Sequence, residues 1–183
     1  MDVHSQSEKR AYGCLFVTTG REREYAERLQ RDVPGVCAFA ACREKHHTVK
    51  GVRNKVIEVM MPGYVFFQAD AEIVPWQSFP REHLIRVLTI EKDVWQLVGE
   101  DERFVKWLMT YDGLLGFSKA YREGTKVRIA SGPLKDLEGR IVKVDNRGRS
   151  GKVSLEFNGR QMVVWLGFDL IDPLVDAMAE MGD

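Results

Sequence analysis

The sequence predicts an α+β protein in two parts, an α/β sandwich with an antiparallel sheet followed by a small all-β barrel. Three observations carry this expectation. The run Val56-Ile-Glu-Val-Met-Met-Pro-Gly-Tyr-Val-Phe-Phe67 has the β-branched and aromatic content of a strand covered on both faces. Apolar stripes at helical spacing are confined to the first two thirds of the chain. Beyond Lys119 the pattern becomes short alternating runs separated by Gly, Pro and Asn-Gly, which fits a small barrel. At 183 residues and 44% hydrophobic content, the chain is long enough for two cores.

In order, 1–11 reads as a disordered leader with no apolar signal-peptide core. Cys14–Thr19 reads as a short strand. Thr19 and Glu22 fit a capping box for a helix over Arg21–Val33, whose stripe is Tyr25, Ala26, Leu29 and Val33. Pro34-Gly35 stops that helix. Val36–Ala41 is a second strand, and Arg43–Lys55 is an exposed basic hairpin leading into the central strand at Val56. Within that strand Pro62-Gly63 marks a bulge or bend, because proline cannot donate to a ladder. The bend re-aims Tyr64 and Phe66 as candidates for an exposed aromatic patch. A short helix or turn follows at Ala71–Phe79, a strand at Leu84–Ile90, and a helix from Glu100 to Tyr111 with Phe104, Trp107, Leu108 and Tyr111 as its buried stripe. The division expected is 12–111 for the sandwich, 112–122 for a linker, 123–173 for the barrel and 174–183 for an acidic tail. Barrel strands are expected at Lys126–Ala130, Gly139–Asp145, Lys152–Phe157 and Gln161–Leu166. Asn158-Gly159 is the turn of a hairpin.

Formal net charge is zero, which argues against generic nucleic-acid affinity. Its distribution is uneven. Lys and Arg against Asp and Glu number 16 against 17 in residues 1–118, but 11 against 7 in residues 119–172. The barrel therefore carries the positive excess. Arg147, Arg149 and Lys152 sit on a glycine-rich tip and Lys135 in a neighbouring loop, a pattern suited to RNA phosphates. Solvated hairpin tips share this composition. Three cysteines without a secretory leader are expected reduced in the cytoplasm. Cys37-x4-Cys42-x3-His46-His47 is too loosely spaced for a zinc site. Neither a phosphate loop, a paired-carboxylate set nor a nucleophile elbow is present, so neither an enzyme nor a cofactor is expected. No apolar run reaches the roughly 20 residues of a membrane span.

With both halves laid out, the chain resembles the NusG family of transcription elongation factors over roughly 12–172. GCLFVTTG leading into a helix, then MMPGYVFF, resembles the N-terminal (NGN) domain of that family. VRIASGPLKDLEGRIVKVD resembles its KOW motif, with Gly132-Pro133-Leu134 and then Gly139 before Ile141-Val142. Met61 stands where the family usually has Phe, and Gly13 where an aromatic is common. The resemblance implies an NGN domain followed by an SH3-like KOW barrel. It also implies docking on the clamp helices of the largest RNA polymerase subunit through an apolar depression, at positions matched by Phe16, Pro62, Tyr64 and Phe66. The basic hairpin matches a loop that lies near upstream DNA, which implicates Arg43, Lys45, Lys50, Arg53 and Lys55. The stretch GPLKDLEGRIVKVD…FNG…WLGFDLI resembles specialised bacterial paralogues of the LoaP type, antiterminators whose KOW domain binds a nascent RNA hairpin. That implies RNA contacts at Lys135, Arg147, Arg149 and Lys152, in a cytoplasmic, monomeric protein. The alternatives are a housekeeping NusG-like factor whose barrel meets ribosome or termination factor, and a ribosome-associated RNA-binding KOW protein.

Overall fold

The computed structural model describes residues 9–172. The expected leader falls mostly, and the acidic tail wholly, outside these residues, although Arg10 and Ala11 already lie in the first strand. By backbone packing the chain forms two units. One comprises the described residues up to Ala41 together with Met61–Gly113; the other comprises Cys42–Met60 with the described residues from Leu114 onward.

The first unit is built on a four-stranded sheet in the order β2-β5-β1-β6, all antiparallel. Its strands are β1 (Arg10–Val17), β2 (Cys37–Phe39), β5 (Tyr64–Asp70) and β6 (Leu84–Val87). Strand β5 is interior, as its apolar run predicts. Period-two alternation sends Leu15, Val17, Val65, Phe67 and Ala69 to one face, where they form a core with Tyr25, Ala26 and Leu29 of helix α1 (Glu22–Asp32). The Tyr25 hydroxyl donates to the Pro80 carbonyl at 2.6 Å, and burial raises its pKa to about 12. Cys14, Phe16, Tyr64 and Phe66 take the opposite face, on which helix α3 (Gly99–Met109) brings Phe104 against Phe66. The short helix α2 (Pro75–Ser78) begins at its proline.

Two expectations for the stretches around this sheet fail. Val56–Phe67 is not one bent strand. It is the end of β4 (Val52–Val59) and the start of β5, which lie in different sheets. The turn between them needs a left-handed residue, and Gly63 supplies it at φ +83°. Nor does Thr19 cap α1: no side chain caps its first turn, the cap position is Arg21, and Thr19 is exposed.

The second unit holds a five-stranded sheet, β10-β11-β12-β8-β9, and a three-stranded one, β4-β3-β7. Here β8 is Ser118–Glu123, β9 Lys126–Ser131, β10 Ile141–Asp145, β11 Ser150–Phe157 and β12 Arg160–Leu170. Asn158 and Gly159 both take positive φ, as a primed hairpin turn requires. Gly151, Val153, Leu155 and Phe157 alternate inward with Leu166 and Phe168. Leu134, from the single turn α4 (Pro133–Asp136), is fully buried, and its amide donates to Ser118 Oγ at 2.9 Å. Strand β8 falls in the stretch read as linker and start of barrel; it pairs parallel with the end of β12. Leu114–Leu115 (β7) pairs parallel with β3 (Cys42–Val49), so this segment is ordered chain.

Candidate docking and nucleic-acid surfaces

On the first unit the aromatic face is only partly open. Phe16 and Tyr64 are direct cross-strand partners, half-buried, with ring centroids 4.3 Å apart. Arg86, opposite Phe16 on β6, lays its guanidinium 5.0 Å from that ring. Pro62 is exposed. Phe66 is not open to solvent: it is 0% exposed, with Phe39 at 5.9 Å and Phe104 edge-on at 6.2 Å. Shared direction with Tyr64 is correct, but α3 covers this end of the face. The ring is core.

The turn beneath this patch is held by a residue whose role the sequence did not reveal. Glu22 is 2% exposed, and its carboxylate accepts from the Gly63 amide at 2.6 Å and from the Gly20 amide at 2.9 and 3.1 Å. A buried carboxylate needs such partners. It thereby ties the start of α1 to the residue before Tyr64.

On the second unit, β3 and β4 form an eight-pair antiparallel hairpin turned at Lys50-Gly51. Most of its cations are occupied within the unit. Arg43 bonds Glu58 Oε2 at 2.9 and 3.2 Å and donates to the Trp165 carbonyl at 2.7 Å, while Lys45 reaches Glu58 Oε1 at 2.8 Å. Hydrogen bonds from these two cations hold the Glu58 carboxyl below its ordinary range. Arg53 donates to the Gly148 carbonyl, and Lys55 pairs with Asp169 at 3.1 Å and lies 4.4 Å from the Phe117 ring. Lys50, at the turn, has no ion pair among the described residues.

The RNA candidates divide in the same way. Lys135 pairs with Glu138. Arg147, Arg149 and Lys152 have no carboxylate partner within 4.0 Å among the described residues. The tip that carries Arg147 and Arg149 is organised by Asp145, whose Oδ1 accepts from the Arg147 and Gly148 amides at 3.0 and 2.9 Å, while Lys152 lies in β11. Arg149 follows at φ +52°, a conformation unusual for a side-chain-bearing residue.

Sequence reasoning missed the hollow beside this tip. It measures about 190 Å3 and is lined by Arg43, Lys45, His46, Phe117, Arg149 and Trp165, with Gly148, Ser150 and Gly167, all of the second unit. Phe117 is seated by the Glu44 carboxylate, which accepts its amide at 3.3 Å, and by Gly167, where a Cβ would stand 2.1 Å from the ring. His46 packs its ring 4.3 Å from Phe117, and among the described residues neither ring nitrogen has a hydrogen-bond partner, Asp169 Oδ1 standing 3.6 Å from Nε2. Burial, then the charges of Arg53, Lys55 and Arg149, hold its pKa below the ordinary value against the pull of Asp169. The imidazole is neutral at pH 7. Of its lining, Arg43, Lys45 and Arg149 were already singled out in the sequence, whereas Phe117 and Trp165 were a lone Phe and a lone Trp in stretches read as linker and strand.

The thiols divide by burial: Cys14 and Cys42 are buried, Cys37 is exposed, and burial pushes the Cys14 thiol well above its usual value. No cluster of three or more metal-ligating side chains occurs among the described residues. Nor, among them, is any helix long and apolar enough to cross a membrane.

No family model matches the chain. It is 27% identical over 153 residues to the transcription termination/antitermination protein NusG of Pasteurella multocida, covering 82% of this chain and 84% of that protein. The protein of the same name from Thermus thermophilus is 28% identical over 134 residues, covering 66% and 71%, and that of Borreliella burgdorferi is 24% identical, covering 72% and 77%. Among solved structures, one described as domain interaction in Thermotoga maritima NusG shares the fold, with a TM-score of 0.51 at 18% identity, covering 87% of this chain and 94% of that one. Over most of its length the chain is therefore similar to proteins named NusG, and it shares the fold of a solved NusG.

Proposed function

We propose that the chain is a transcription elongation and antitermination factor of the NusG type, with residues 12–111 as polymerase-docking domain and residues 123–173 as a KOW domain that engages nascent RNA. The observation that carries this reading is the likeness, over 82% of the chain, to a protein named for transcription termination and antitermination. The docking surface is Phe16, Tyr64 and Pro62 with Arg86 at its edge: partly exposed rings on a rigid sheet, the kind of anchor that dominates an interface. It receives the clamp helices of the largest polymerase subunit. Closing the clamp opposes pausing and termination, which requires only tighter binding to the closed state.

Arg147, Arg149 and Lys152, which meet no carboxylate among the described residues, favour RNA as the second partner and, with it, the specialised LoaP-like role. Cations already matched by carboxylates gain less from a phosphate. By the same reasoning Lys50, at the hairpin turn, is the hairpin cation left for upstream DNA, while Arg43, Arg53 and Lys55 hold the hairpin in its unit and Lys45 is paired within it. Phe16→Ser with Tyr64→Ser tests the docking surface by co-purification of the whole chain with RNA polymerase. Loss of binding with a retained cooperative melt is expected. Undiminished binding refutes the assignment.

A further inference from the structure

Lys143 and Lys152 stand directly opposite each other on β10 and β11, and Lys152 stands opposite Trp165 on β12. Cross-strand like charges repel, so such a pair costs stability unless an anion lies across it. Neither lysine has a carboxylate within 4.0 Å among the described residues. The alternation that buries Gly151, Val153 and Leu155 sends Lys152 and Ser154 to the outer face of β11. The row Lys143–Lys152–Trp165 therefore runs across the outside of three strands, and it ends at Trp165, a wall of the hollow.

The hollow itself has ring walls and a cationic rim. Trp165, Phe117 and His46 supply flat apolar faces, and Arg149 adds a half-buried guanidinium that no carboxylate neutralises among the described residues. Glu58 balances only one of Arg43 and Lys45, so the lining remains positive. Phosphate alone does not need rings, and an apolar ligand does not need cations. The combination suits a planar base attached to a phosphate backbone.

We propose that this hollow takes a single unstacked base of an RNA, stacked against Trp165, with the flanking phosphates on Lys143 and Lys152. This deepens the RNA reading given above and rests on it. A fully paired helix offers no base to the hollow, so the site selects a loop or bulge rather than a duplex. Arg149 acts at the rim, where its left-handed backbone points to a clamp held in place by the Asp145 turn.

The test uses the full chain and two hairpin RNAs of identical stem. One has a short unpaired loop of ordinary nucleotides; the other has the same loop of abasic ribose units, with every phosphate retained. The chain is expected to prefer the base-bearing loop by about tenfold, within the range of one stacked base. Trp165→Ala abolishes the preference, and Trp165→Phe, which keeps a ring, retains most of it. Lys143→Gln with Lys152→Gln weakens both RNAs and lowers the salt slope by about 1.4, the value for two single-strand phosphates. Equal, measurable affinity for the two loops overturns the base site and leaves RNA binding standing. A preference that survives in Trp165→Ala overturns it too. If neither hairpin binds, the RNA reading and the base site fall together.

Discussion

Gly13 lacks a side chain because two rings fill the space above it: an added Cβ would stand 2.3 Å from Phe67 Cζ and 2.8 Å from Trp95 Cε3. Those rings are stacked, 5.1 Å apart, inside the α1-side core. Gly13 therefore faces this core and not the Phe16–Tyr64 patch. Gly13→Val overpacks a closed core and is expected to cost about 1–3 kcal/mol, read as a lowered denaturant midpoint at unchanged slope. Phe66 carries the complementary lesson. Its alternation was legible in the sequence, and so was its direction. What was not legible was the cover, because Phe39 and Phe104 lie 27 and 38 residues away along the chain and approach only through the sheet order and the placement of α3. Glu22 was hidden for a similar reason. As a carboxylate at a helix start it reads as a capping residue or a dipole partner, and only the folded chain brings Gly63 to it.

At the scale of elements, single strands and helices were readable and their partners were not. Helix α1 and strands β9 to β12 follow from periodicity and from Asn158-Gly159. The run Val56–Phe67 looked continuous because composition does not record a change of sheet. Its first half is the less covered: Ile57 is exposed and Val56, Glu58 and Val59 only half-buried, whereas Val65, Phe66 and Phe67 are sealed. Strand β8 was missed because Ser118–Glu123 is short and polar, and its parallel pairing with β12 comes from opposite ends of the unit's sequence. The β3–β4 hairpin read as basic and solvated, yet it is fastened by Asp169 and by the Gly148 and Trp165 carbonyls. His46 gives that element a pH response. Its pKa is lowered from 6.5 on folding, so the unfolded chain takes up a proton more readily than the folded one. Stability is then highest above 6.5 and declines as pH falls through that value, levelling once the folded group is also protonated. His46→Phe, which keeps a ring against Phe117, is expected to lose less melting temperature than the parent across that interval. An equal loss would mean that other groups set the acid limb.

For the whole molecule, the division of its cations says more than its zero net charge. Those on the hairpin are largely spent inside the unit, whereas those on β10–β11 and its tip meet no carboxylate among the described residues, which is the contrast the proposed RNA surface rests on. The counts in the barrel third hinted at this, but pairing is a property of the fold. In the proposed reading the first unit offers the other surface, narrower than the sequence suggested: Phe16, Tyr64 and Pro62, without the buried Phe66. Two separate surfaces on two units suit a factor that holds the transcribing enzyme with one and the emerging transcript with the other. Placing a photo-crosslinking phenylalanine analogue at Tyr64 and irradiating the chain with a transcribing RNA polymerase reads the first contact directly. The account requires a crosslink to the clamp helices of the largest polymerase subunit. A crosslink only to ribosomal protein or RNA, with the polymerase unlabelled, would contradict it.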